Sequence, residues 1–147
     1  MKIDHQKYSH ISFDLWLTLI KSNPEFKTKR DILLRDFFNV NHSIEEVSKV
    51  VRYYDILCNQ INEHTGLNID TNEIYYLILN KLNVEIGDVD SISLARFYDE
   101  TENLFFKYKP VLLFPRIQEL FDEIRLENKT MNILSNTGFI KGRTLKK

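Results

Sequence analysis

Apolar side chains follow two different spacings along this chain, and the switch between them divides it into regions. Residues 7–14 place Tyr8, Ile11 and Phe13 in a β-favouring lead-in to the apolar run 11–20, which predicts a buried strand ending at Asp14. Residues 21–24 read as a turn, because Pro24 biases Asn23 away from the helical region. Four stretches with apolar residues every three or four positions follow, predicting helices over 27–39, 44–64, 71–82 and 91–107. Their faces are Ile32, Leu33, Leu34, Phe37 and Phe38; Val47, Val50, Val51, Tyr54, Leu57, Cys58 and Ile61; Ile74, Leu77, Ile78 and Leu82; and Leu94, Phe97, Tyr98, Leu104 and Phe105. Ser43-Ile44-Glu45-Glu46 and Asp70-Thr71-Asn72-Glu73 have capping-box spacing, Asp88 or Asp90 caps the fourth helix, and Gly66 is a stop signal.

After Lys109-Pro110 the pattern changes again. Residues 111–115 form a short apolar linker, and Pro115 suits the first turn of a helix over 116–127 with Ile117, Leu120, Phe121 and Ile124 on its face. A second strand over 129–135, a turn at Asn136-Thr137-Gly138 and a basic helical start complete the chain. Strand, helical insert, helix, strand is the order of a βαβ unit interrupted by an insert of roughly 85 residues, long enough for a bundle of its own. The expected fold is α/β: a partial Rossmann-like parallel sheet with an inserted helical subdomain, predominantly helical by residue count.

Composition adds mainly exclusions. The 147 residues suffice for one domain that buries roughly 70% of its unfolded surface. A net charge of −1 lends no bulk attraction to nucleic acid or an anionic membrane, so neither is an expected partner. One cysteine, Cys58, rules out an internal disulfide and a Cys-based metal site, and reads as a small core residue. With no signal-like apolar segment at the N-terminus and no window near the ~18 apolar residues of a membrane span, the expected location is the cytoplasm.

The candidate chemistry lies at the two strand ends. Asp14 alone would serve as a turn or cap residue, and Ser135-Asn136-Thr137-Gly138 alone as a polar turn. On parallel neighbouring strands they would meet at the carboxyl edge, where ligands of open α/β sheets bind. A carboxylate nucleophile there needs an anion cradle, which a serine hydroxyl and unpaired backbone N–H groups can supply.

Ile11-Ser12-Phe13-Asp14-Leu15-Trp16-Leu17-Thr18 resembles the first motif of the haloacid dehalogenase-like (HAD) hydrolase superfamily, and Ile133-Leu134-Ser135-Asn136-Thr137-Gly138 its second. The insert 22–109 is similar to that superfamily's helical cap, and residues 1–21 with 110–147 to an incomplete core. The resemblance implies a phosphatase-type hydrolase acting on a small phosphorylated molecule. Asp14 would be its nucleophile, Thr18 a residue that positions the nucleophile loop, and Ser135, Asn136 and Thr137 the substrate-phosphate contacts. Mg²⁺ would be held by Asp14 and the Trp16 carbonyl, offsetting the repulsion between carboxylate and phosphate.

Two positions in the first motif and the C-terminal stretch depart from the family pattern. Trp16 stands where phosphatases of the family have a general acid, a role an indole cannot fill; the dehalogenase branch has an aromatic residue there, so C–halogen hydrolysis is the alternative, with Arg30 as a halide contact. Leu17 replaces a usual glycine. Beyond the second motif only 139–147 remain, without an acidic residue, and Lys141, Lys146 and Lys147 read as solvated charges. The expectation is therefore a chain truncated after the second motif, weakly active or inactive, self-associating through its uncovered core. The other readings are a catalytically silent binding or regulatory module and a helical interaction domain.

Overall fold

The computed structural model describes residues 7–135 and 138–146. The fold is mixed α/β and mostly helical, in the order β1 (His10–Asp14), β2 (Ile20–Lys21), α1 (Pro24–Phe37), α2 (Ile44–Thr65), α3 (Thr71–Lys81), α4 (Ser91–Lys107), β3 (Val111–Leu112), α5 (Ile117–Leu126), β4 (Thr130–Leu134) and the short α6 (Gly142–Leu145). Two compact units result, one of the chain up to Asn23 with Pro110–Ser135, the other of Pro24–Lys109 with the segment after Ser135. No helix among the described residues is long and apolar enough to cross a membrane.

In the first unit β1 and β4 pair in parallel, with His10 opposite Thr130 and Asp14 opposite Leu134. Helix α5 precedes β4 and packs on one face, where the Phe13 and Phe121 rings meet edge-on at 5.3 Å and Ile124 is buried. The strand is not buried on both sides as expected. Ile11 and Phe13 are half-buried, whereas His10, Ser12 and Asp14 on the opposite face are exposed. A two-stranded sheet with a helix on one face hides every second residue. The expected linker over 111–115 contains β3, which pairs antiparallel with β2 through Ile20–Leu112 and Lys21–Val111.

The second unit holds the main core. Leu34 of α1, Val47, Val51 and Cys58 of α2, Ile74, Tyr75, Ile78 and Leu79 of α3, and Leu94 and Phe97 of α4 form one cluster. Phe97 is its hub, with ring centroids of Tyr75, Phe38 and Phe37 at 4.9, 5.3 and 5.6 Å. Helix α1 begins at Pro24 rather than after it, since proline suits a first helical position where its missing N–H is no loss. In α3 the buried stripe runs through Tyr75 and Leu79, and the expected Leu77 is exposed.

Both capping boxes form. Ser43 donates to Glu46 Oε2 from its backbone N at 2.9 Å and its Oγ at 2.7 Å, and Glu73 Oε2 accepts from the Asp70 N at 2.8 Å. The Ser43 hydroxyl and then its backbone N–H hold the Glu46 carboxyl below the ordinary carboxylate range. Its folded-state pKa being depressed, this contribution is complete above the ordinary glutamate value of about 4.3 and fades as pH falls through the lower folded-state value. Urea titrations across that window are expected to show a stability advantage over Glu46→Gln near neutrality that shrinks as the solution is acidified. A constant difference would separate Glu46 ionisation from stability.

The segment after Ser135 was expected beside the strands but belongs to the helical unit. Phe139 joins its core, Thr71 Oγ1 donates to the Gly138 carbonyl at 2.7 Å, and the Tyr98 hydroxyl accepts from the Lys141 N at 2.8 Å. Thr144, almost fully buried, links the Tyr98 hydroxyl at 2.8 Å to Glu102 Oε1 at 2.7 Å. Lys141, expected in solvent, lies with its Nζ 4.5 Å from the Tyr98 ring centroid, a cation–π contact.

Candidate functional site

Asp14 is the last residue of β1, and the chain turns sharply after it. Leu15 and Leu19 are buried anchors, and the turn between them closes through Leu17 N–H to Ile20 O at 2.8 Å, Leu19 N–H to Leu15 O at 2.9 Å and Ile20 N–H to Leu15 O at 3.1 Å. This loop brings Thr18 back to the strand end, where its hydroxyl donates to Asp14 Oδ2 at 2.5 Å. Asp14 is exposed, contrary to the buried carboxylate expected. Its ionised form needs no buried counter-charge, and its carboxylate is open to a ligand.

Leu17 adopts φ +61°, the left-handed region that favours glycine, while its side chain is 82% exposed. A leucine there bears strain of about 1–2 kcal/mol with no burial to offset it. Leu17→Gly removes that strain but loosens the unfolded chain by roughly 0.4–1 kcal/mol. The net expected result is a small gain, ~0.5–1 kcal/mol, read as a raised urea midpoint; a loss would mean that the leucine side chain holds the loop.

Ser135 directly follows Leu134, the pairing partner of Asp14, so the parallel register brings both strand ends to one edge. Ser135 is half-buried. Asn136 and Thr137, the other two expected phosphate contacts, lie outside the described residues. Trp16 is half-buried and bridges to Ile20 within the turn.

As donors for the expected Mg²⁺, the described residues bring the Asp14 carboxylate, one oxygen of which Thr18 already engages, and the Trp16 carbonyl. Among them there is no group of three or more His, Cys, Asp or Glu side chains able to hold a metal ion. Mg²⁺ binds through one or two carboxylates and completes its octahedral shell with waters and substrate phosphate, so Asp14 and the Trp16 carbonyl would supply two of its donors.

Arg30, the expected halide contact, is committed elsewhere. It is 7% exposed, donates to Asp31 Oδ1 from Nε at 3.1 Å and Nη2 at 2.9 Å, and lies 4.4 Å from the Phe139 ring centroid. Ser48 Oγ holds the other Asp31 oxygen at 2.9 Å. A buried, satisfied ion pair of this kind is a structural element of the helical unit.

Sequence reasoning missed the polar face of the small sheet. His10 Nδ1 lies 2.7 Å from Thr130 Oγ1, and His10 Nε2 is 3.3 Å from both Asn132 Oδ1 and Ser12 Oγ. The alternation His10, Ser12, Asp14 on one strand and Thr130, Asn132 on the other was the available signal, masked by the apolar residues between them. The helical unit also bears a shallow groove of 480 Å³ lined by Ile69, Tyr76, Leu77 and Ile86, whose acidic lining group, Glu73, caps α3.

No protein-family model, curated protein or solved structure matches this chain. The functional reading therefore stands on the geometry of the strand ends and on the two motifs.

Proposed function

We propose that this chain is a HAD-like hydrolase using Asp14 as a covalent nucleophile on a small phosphorylated substrate, with β1, β4 and α5 as part of the catalytic core and the helical unit as its cap. The observation that carries this reading is the exposed Asp14 at the carboxyl end of a parallel strand, one oxygen oriented by Thr18 and the Ser135 strand end in register alongside. In the reaction the second carboxylate oxygen attacks phosphorus and the P–O bond to the leaving alcohol breaks. Water then attacks phosphorus and frees Asp14. Ser135 holds a phosphoryl oxygen, and the cytoplasm, where the single buried thiol of Cys58 stays reduced, is the compartment of choice.

Displacement of halide from carbon is the second reading, and the makeup of the strand end favours it. Trp16 offers no proton to a leaving alcohol. A halide leaves without protonation, as the Asp14 oxygen forms an ester to carbon. Water then attacks the Asp14 carboxyl carbon and releases the alcohol.

Turnover in ¹⁸O-labelled water tests both readings in a single experiment. The phosphatase reading requires label in the released phosphate and none in the protein. The dehalogenase reading requires label in the Asp14 carboxylate, seen by peptide mass spectrometry after a single turnover of a 2-haloacid. Product formation with label only in the alcohol, and none in either place, would remove the covalent aspartyl step.

A further inference from the structure

We propose that β4 is a self-recognition strand through which two copies of this chain join, antiparallel, into one four-stranded sheet ordered β1-β4-β4-β1. Among the described residues the parallel pair is a two-stranded sheet with an outer edge open on each strand. Helix α5 covers one face of the pair, while neither edge has a neighbouring strand among the described residues.

The two edges differ. β1 carries an ionisable residue at each end, His10 and Asp14, of the kind that discourages strand addition. β4, Thr-Met-Asn-Ile-Leu, has no charge, proline or glycine, and four of its five residues are exposed. Ile133 and Leu134 are 52% and 58% exposed, an apolar pair at the open edge of a sheet.

A second copy fits because the strand is its own complement. An antiparallel pairing centred on Asn132 sets Met131 against Ile133 twice, on the face that bears Phe13 and α5. On the other face it sets Asn132 against Asn132 and Thr130 against Leu134. Apolar meets apolar on one side, and amide meets amide at the two-fold axis, which is the isologous arrangement of a two-fold dimer. Registers centred on Met131 or Ile133 keep the faces but pair only three of the strand's five residues, and a shift by one residue moves each side chain to the opposite face.

Sedimentation velocity over a concentration series is the test. The expected result is a reversible monomer–dimer equilibrium. Ile133→Lys, at a position already half in solvent, is expected to weaken the dimer about ten- to a hundredfold while leaving the monomer folded. Asn132→Cys reports the register without relying on a destabilising change. Antiparallel partners sit about 4.5–5.5 Å apart at Cα, within disulfide reach, so oxidised Asn132→Cys is expected to run as a covalent dimer. The native Cys58 is buried and does not compete. A protein that stays monomeric at every concentration overturns the proposal. So does a dimer that withstands Ile133→Lys, or one in which Asn132→Cys fails to cross-link, since association then uses another surface.

Discussion

Asp14→Asn is expected to lower kcat by about 10⁴-fold or more on any substrate the wild-type chain turns over, the scale on which removing a covalent nucleophile acts. The substitution suits the question because of where the side chain lies. Asp14 is exposed, so the change leaves no cavity and no unpaired buried charge. The amide oxygen of asparagine can still accept the Thr18 hydroxyl, so the turn after β1 keeps its main side-chain tie. What is lost is the second anionic oxygen, and with it the nucleophile. Steady-state kinetics alongside circular dichroism provide the check, because an unchanged spectrum assigns the loss to chemistry. An Asp14→Asn protein running at the wild-type rate would place the reaction elsewhere.

Phe97→Ala is expected to destabilise the helical unit by roughly 3–5 kcal/mol, lowering Tm by about 10 °C or more. The ring is fully buried and makes three aromatic contacts, with α1 and its C-terminal end and with α3, at 4.9–5.6 Å. Truncation removes its transfer free energy and leaves a cavity that rings held by three elements cannot close. Ile92→Ala, on the exposed side of the same helix, is the matched control, expected within about 0.5 kcal/mol of wild type. Thermal unfolding of both variants measures the contrast, and equal effects would remove Phe97 from the centre of the core.

Helix ends were the most legible part of the fold, for a local reason. Capping boxes at Ser43–Glu46 and Asp70–Glu73 satisfy N–H groups within one turn of the chain. Stops are equally local: Asn39, Asn83, Asn128 and Gly66 take left-handed backbone where α1, α3, α5 and α2 end. Burial was harder to read. Leu77 fits the three–four spacing of α3 as well as Tyr75 does, and only the neighbours of that helix decide which of them faces inward. Phe139 sits in a tail too short for any periodicity, so nothing in its spacing points to the helical core it enters, nor to the burial of Ile140 beside it.

For the candidate site the same division holds. That Asp14 ends a strand follows from its apolar lead-in. A positioning role for Thr18 was implied only by the resemblance of residues 11–18 to a family motif, and only the structure showed the turn that returns Thr18 to Asp14. Its exposure and the commitment of Arg30 to Asp31 and Phe139 depend on what packs around them, which no local spacing encodes.

By itself, then, the sequence determined where α2, α3 and α4 begin and end to within a residue, which two segments run as parallel strands, and which acidic residue stands at the strand end, because hydrogen bonds and periodicities within a few residues specify each of these. Only the tertiary structure decided how many faces of the small sheet are covered, which side the tail joins, and that β4 keeps an open apolar edge. Those outcomes depend on contacts between segments 67 to 120 residues apart, and burial is a property of the assembled layers rather than of any one stretch of chain.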